Sequence, residues 1–237
     1  MPWMVKCFVL CTAAVSFFYM AQASAAETVM IGQSRAVLLR PTTPEASVIL
    51  MAGGDGRLDI GSGGSIGRLG KNQLIRTREA YVAKGLAVLV PDNDVDLVQA
   101  VEYMAKIKRP VIVIGTSRGT LRAARGIAHG ARPDGLVLTS GFLTAASGKP
   151  DENVATILGA PAKLPPTLVI HHRNDECRFT KPAGVAPFIS WAVGKARVIW
   201  LDGGESRGDP CQAMSHHGFL GLDNQVVSAA ANFALKP

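Results

Sequence analysis

Short apolar runs rich in β-branched residues alternate along this chain with stretches in which apolar side chains return every three or four positions. The runs read as strands and the periodic stretches as amphipathic helices, the pattern of a layered α/β arrangement. Strands are expected at 28–31 and 35–40, an antiparallel entry pair, then at 47–52, 86–90, 111–114, 136–139, 167–171 and 197–201. Asn72 caps a helix expected to continue to Ala83, with Leu74, Ile75 and Val82 facing inward. The turn Pro91-Asp92-Asn93-Asp94 caps another, which carries Leu97, Val98, Val101, Met104 and Ala105 at the helical period and stops at Arg109-Pro110. Further helices are expected from Ser117 to near Gly130 and at 152–158, 183–193 and 222–234. No internal repeat, interdomain linker or cap-sized insertion interrupts the alternation. The expectation is one domain, residues 27–237, built as a three-layer α/β/α sandwich around a mostly parallel sheet.

The first 26 residues stand apart. Lys6 is their only charge, Cys7 to Ala21 is apolar, and Ala21, Ala23 and Ala25 give small-residue spacing, the pattern of a secretory signal peptide spanning 1–26. The apolar run is shorter than the roughly 20 residues of a membrane span, so no stable membrane insertion is expected after cleavage. Export to a periplasmic or extracellular space follows. Two cysteines remain beyond that leader, Cys177 and Cys211, and an even pair in an exported chain reads as a disulfide. Net charge is +7, but the arginines are scattered and only three tryptophans and three tyrosines accompany them. That argues against nucleic acid as a partner.

One strand-like run carries chemistry. Val111 to Ile114 stops at Gly115-Thr116-Ser117-Arg118-Gly119 and leads into a helical segment rich in alanine and arginine. A sharp strand-to-helix turn around Gly-x-Ser-x-Gly is a nucleophile elbow, in which glycines two residues either side of the serine relieve crowding. The motif alone is weak, since Ser65 and Ser206 sit in the same five-letter pattern in a chain with 25 glycines. Ser65 lies in a glycine-rich loop, and Pro210 follows Ser206 too closely for a helix to start there. Only Ser117 has strand before and helix after.

A serine needs a base, and the base an orienting carboxylate. Of the five histidines, His129 ends the helix after Ser117, and His171 and His172 end a strand that is followed by Asp175, the expected carboxylate. The base is expected past the last strand, at His216-His217. In this Ser…Asp…His order the chain resembles the α/β-hydrolases, and its His217-Gly218-Phe219 segment resembles small lidless members of the dienelactone-hydrolase and carboxylesterase sort. The resemblance implies His217 as base, with His216 as fallback. It also implies an oxyanion hole made by the N–H of Arg118 and a second N–H after the third strand, Gly54 or else Asp55. Many members carry His-Gly where this chain has Ala52-Gly53, which leaves that second donor open. The implied function is ester hydrolysis through an acyl-enzyme on a small-molecule substrate, with no cofactor and no metal. Thioester or amide hydrolysis by the same residues, and a non-catalytic periplasmic binding protein on the same scaffold, remain alternatives. Pocket walls are expected from 55–70 and 142–165, and a Cys177–Cys211 bridge would join the acid loop to the histidine loop.

Overall fold

Strand interiors here are apolar on both sides, which suits a sheet covered on both faces. The computed structural model describes Met1 and residues 25–237; the expected leader, 1–26, falls almost wholly outside them. Strands β1 (Glu27–Ile31), β2 (Ser34–Leu39), β3 (Ala46–Met51), β4 (Leu86–Pro91), β5 (Val111–Thr116), β6 (Gly135–Thr139), β7 (Thr167–His172) and β8 (Ala196–Leu201) form one sheet in the order β1-β2-β4-β3-β5-β6-β7-β8. β1 and β2, and β2 and β4, pair antiparallel; every other pair is parallel.

The helices are α1 (Gln73–Arg76), α2 (Arg78–Val82), α3 (Leu97–Ile107), α4 (Arg118–Ala128), α5 (Val154–Leu158), α6 (Val185–Trp191) and α7 (Asp223–Leu235). Alternation along each strand splits the core in two. Val48, Leu50, Ile112 and Ile114 pack with Leu74 and Tyr81 of α1 and α2 and with Val226 and Phe233 of α7. Ile49, Met51, Val111 and Val113 face the other way, against α3, α4, α5 and α6 through Leu97, Ala124, Leu158 and Phe188. The result is the expected three-layer sandwich.

Two helices depart from expectation. The helix from Asn72 to Ala83 is interrupted at Thr77 (φ −107°, ψ 5°), whose hydroxyl donates back to the Gln73 carbonyl at 2.7 Å. Such local side-chain bonding competes with the helical ladder. In the segment expected to be helical over 183–193, a turn of tighter helix occupies Pro182–Gly184, and the α-helix proper is shorter than anticipated.

Strand order places β5 in the middle of the sheet, flanked by β3 and β6. Its C-terminal end, with those of β3 and β7, therefore opens on one edge, where polar loops gather. In parallel α/β sheets ligands bind at that edge.

Candidate active site

The turn from β5 into α4 explains its own sequence. Ser117 adopts φ 51° and ψ −124°, a region costly for any residue with a side chain. Its N–H donates to Thr139 O of β6 at 3.0 Å, fastening the turn to the neighbouring strand. A methyl group on Gly115 would come within 2.9 Å of the Gly119 carbonyl, so the crowding expected between these two positions is real. Gly119 is constrained chiefly from elsewhere: a methyl there would stand 2.0 Å from Met51 O at the end of β3. Ser117 sits at the N-cap of α4 without capping it through its side chain, and the first N–H groups of a helix have no intrahelical acceptor. Arg118 N–H, at the first position of α4, is one of these.

His217 and Asp175 come from loops distant in sequence. β7 ends at His172, and Asp175 follows in a turn closed by its N–H on His172 O at 3.2 Å. The carboxylate is fully buried, and its Oδ1 accepts from Cys177 N–H at 2.9 Å. Its Oδ2 accepts from His217 Nδ1 at 3.0 Å. An Nδ1–H given to that oxygen leaves the Nε2 lone pair free. The backbone of His217 is pinned as well: Ser140 Oγ donates to its carbonyl at 2.7 Å, and its N–H donates to Ser215 Oγ at 3.2 Å.

Ser117 and His217 line the same cavity, of about 270 Å³, while Asp175 is buried behind the histidine. The structure thus brings His217 into contact with Asp175 and places Ser117 on the wall of the cavity that His217 also lines. Among the described residues Ser117 Oγ makes no hydrogen bond, to His217 or to any other group. Contacts of this kind commonly tighten only with substrate bound.

Two ties that the sequence did not single out hold this arrangement. The Thr180 hydroxyl, fully buried, donates to Asp175 Oδ2 at 3.1 Å and lies 3.0 Å from His217 Nδ1. Arg76 of α1 reaches into the histidine loop, donating to Gly218 O at 2.8 Å and Ala213 O at 3.3 Å while gripping Asp223 through Nε and Nη2. Thr180 carried no signal beyond proximity to Asp175, and Arg76 looked like an ordinary exposed helix residue.

The remaining histidines serve other contacts. His171 is fully buried, with Nδ1 3.2 Å from His172 O and Nε2 4.0 Å from Asp175 Oδ2, without a hydrogen-bond partner for Nε2. Burial lowers its pKa, against the raising influence of Asp175. His216 stacks on His172 at 4.3 Å between ring centroids, and its Nδ1 lies 3.2 Å from Asn174 O. His129 caps the end of α4 through Arg125 O.

The loop after β3 is fastened from α4. Arg122 donates to Ala52 O and, at 3.2 Å, to Gly54 O, and burial pushes its guanidinium down to about 10, still charged at neutral pH. Gly54 sits at φ 60°, and its N–H makes no hydrogen bond among the described residues. Asp55, the other position left open, turns its carboxylate outward to Arg57 N–H and Arg68.

The cavity walls differ from expectation. Segments 55–70 and 142–165 contribute only Leu69 and Phe142. Phe179, Gln212 and the Cys177–Cys211 disulfide (Cα–Cα 4.5 Å) supply the facing wall instead. The glycine-rich loop is drawn away to the β1–β2 edge, where Thr28 and Arg35 bond Gly61 O and Ile60 O.

No protein-family model matches the sequence, and no curated protein matches it either. Solved structures do match the fold. TT1662 from Thermus thermophilus is 15% identical with a TM-score of 0.60, over 91% of this chain and 99% of that one. The esterase domain of a Rhodothermus marinus protein is 16% identical at 0.57, over 89% and 98%. Dienelactone hydrolase from Anabaena variabilis is 14% identical at 0.57, over 89% and 95%. With its sheet order and two helical layers, the chain has the α/β-hydrolase fold, and among the described residues no separate cap domain covers the site.

Proposed function

We propose that this protein is a serine hydrolase that cleaves small carboxylic esters through an acyl-enzyme. The observation that carries the reading is the 3.0 Å contact of His217 Nδ1 with buried Asp175 at the rim of the cavity that Ser117 enters from a strained strand-to-helix turn. In this reading His217 Nε2 takes the Ser117 proton as Oγ attacks the carbonyl carbon. Asp175 holds the imidazole in the required tautomer and stabilises its protonated form. The N–H groups of Arg118 and Gly54 meet the oxyanion, and the dipole of α4 favours the same charge. Collapse breaks the ester C–O bond, the alcohol leaves with the proton from His217, and water repeats the sequence to free the acid. A cavity of about 270 Å³ lined by Phe142, Phe179 and Leu69 suits a short acyl chain. That esterases and a dienelactone hydrolase share the fold supports the ester reading.

We also propose export. The leader pattern of 1–26 and the disulfide support it, and among the described residues no helix is long and apolar enough to cross a membrane.

Active-site labelling tests the central reading. The protein should react with a fluorophosphonate probe at Ser117 and hydrolyse p-nitrophenyl esters best at short chain length. S117A should do neither. A protein that neither labels nor turns over any ester would leave a binding role on this scaffold.

A further inference from the structure

We infer that the side-chain amide of Asn72 is a catalytic hydrogen-bond donor to the oxyanion, beside the backbone N–H groups of the elbow and the β3 loop. The inference rests on the hydrolase reading above.

The geometry fixes which end of the amide faces the site. Asn72 Oδ1 accepts from Leu74 N–H at 3.2 Å, capping α1. Only the carbonyl end of an amide can accept that bond, so the NH₂ end must point away from the helix. It points to the nucleophile. A methyl group on Gly53 would stand 3.2 Å from Asn72 Nδ2 and 3.2 Å from Ser117 Cβ, so those two atoms lie within twice that distance of each other. Asn72, Gly53 and Ser117 line one cavity.

Nδ2 has no acceptor among the described residues, although every other polar group of Asn72 is engaged. Its N–H donates to Leu69 O at 2.8 Å, and its carbonyl accepts from Ile75 and Arg76 at 3.0 and 2.9 Å. A donor held this rigidly, without a partner of its own and on the cavity that Ser117 lines, meets the requirement for electrostatic preorganisation. Little reorganises when charge appears.

The same geometry explains Gly53. A side chain there would occupy the space between Asn72 and Ser117, 3.4 Å from Thr116 O, and would close the approach of the amide to the nucleophile. The loop that many α/β-hydrolases begin with His-Gly begins here with Ala52-Gly53, and the opening it leaves is faced by the amide that caps α1.

The test compares N72S with N72A. Serine also caps helices well, so N72S keeps the cap while removing the amide donor. Steady-state hydrolysis of p-nitrophenyl acetate should show kcat of N72S down by about 10²–10³-fold, with KM within about threefold of the wild type. The affinity for a trifluoromethyl ketone, whose adduct with serine carries the oxyanion, should fall by a similar factor. N72S should melt with the wild type. If N72S keeps wild-type kcat and ketone affinity while S117A is inactive, the role of Asn72 is refuted and the hydrolase reading stands. If N72A loses activity together with melting temperature and N72S restores both, Asn72 acts only as a helix cap. If the wild-type protein neither labels at Ser117 nor turns over ester, both readings fall together.

Discussion

Removing the Cys177–Cys211 bridge separates two things the molecule has joined: the stability of the fold and the alignment of His217 with Asp175. The bridge closes a loop with a sequence separation of 34, which corresponds to about 3.8 kcal/mol of chain entropy. For a domain of this size the C177A/C211A variant should therefore melt about 8–15 °C lower. The effect on turnover should be larger than that loss implies at temperatures where both proteins are folded. Cys177 lies two residues after Asp175 and gives its N–H to Oδ1 at 2.9 Å; Cys211 anchors the segment leading to His217. Without the bridge, the two loops are held in register by Thr180, Ser140 and Arg76 and by the packing of His216 on His172 and Asn174. A displacement near 1 Å at a reacting group costs up to about 10²-fold. The expected fall in kcat is between about tenfold and that limit, with little change in KM. The assay is p-nitrophenyl acetate hydrolysis at 20 °C alongside circular dichroism melting, for the oxidised protein, the reduced protein and the double variant. Normal turnover in the double variant, or activity and folded signal lost along the same curve, would refute the reasoning.

Other residues give independent checks. T180V removes the hydroxyl that binds Asp175 Oδ2; kcat should drop about 10- to 100-fold with near-normal melting, and an unchanged kcat would show that His217 and Asp175 need no third partner. G119A forces a methyl to 2.0 Å from Met51 O, so the variant should lose more than about 3 kcal/mol in chemical denaturation or fail to fold; a soluble, fully active G119A would show that the β3–α4 contact is looser than described. His171 carries a pKa lowered mainly by burial, so the unfolded chain binds a proton there below about pH 6.5 that the folded protein does not. Stability from this group is complete above that pH and declines as the pH falls through it, by up to about 1.4 kcal/mol per pH unit. Urea denaturation between pH 5 and 7.5 should show a shallower acid slope in H171Q, and equal slopes would remove His171 as the cause.

The strands and their layering were legible because a covered parallel sheet writes itself as continuous apolar runs. Val111 to Ile114 and Leu136 to Leu138 are buried throughout, and no other element type fits runs so short. The elbow was legible for a different reason: close approach of backbone leaves glycine as the only choice at 115 and 119, and only one serine had strand before and helix after. The break at Thr77 was not legible, since it depends on one hydroxyl choosing the Gln73 carbonyl over solvent. Nor were the cavity walls. Segment 55–70 looked like a pocket loop by composition, yet Thr28 and Arg35 on the first two strands hold it to the far edge of the sheet. That preference lies in residues some thirty positions away, which no local pattern encodes.

The site is held by ties between loops, of which the sequence showed only the disulfide, and they share a logic. Arg122 holds the β3 loop to α4, Arg76 holds the histidine loop to α1, and the disulfide holds the histidine loop to the acid loop. Loops that carry chemistry are ordinarily the least stable parts of a fold. Here each is bound to a neighbour by a long-range contact, so the groups around Ser117 form a linked series: β3 loop to α4, the elbow to β6 through Thr139, Ser140 after β6 to His217, and the histidine loop through Arg76 to α1, which Asn72 caps. A series of this kind transmits a cut at one tie to its neighbours. Single variants at Arg76 and Thr180 should then combine to cost more or less than the sum of their separate effects on kcat, whereas a distant pair such as Arg109 and Asp134 should not affect kcat at all.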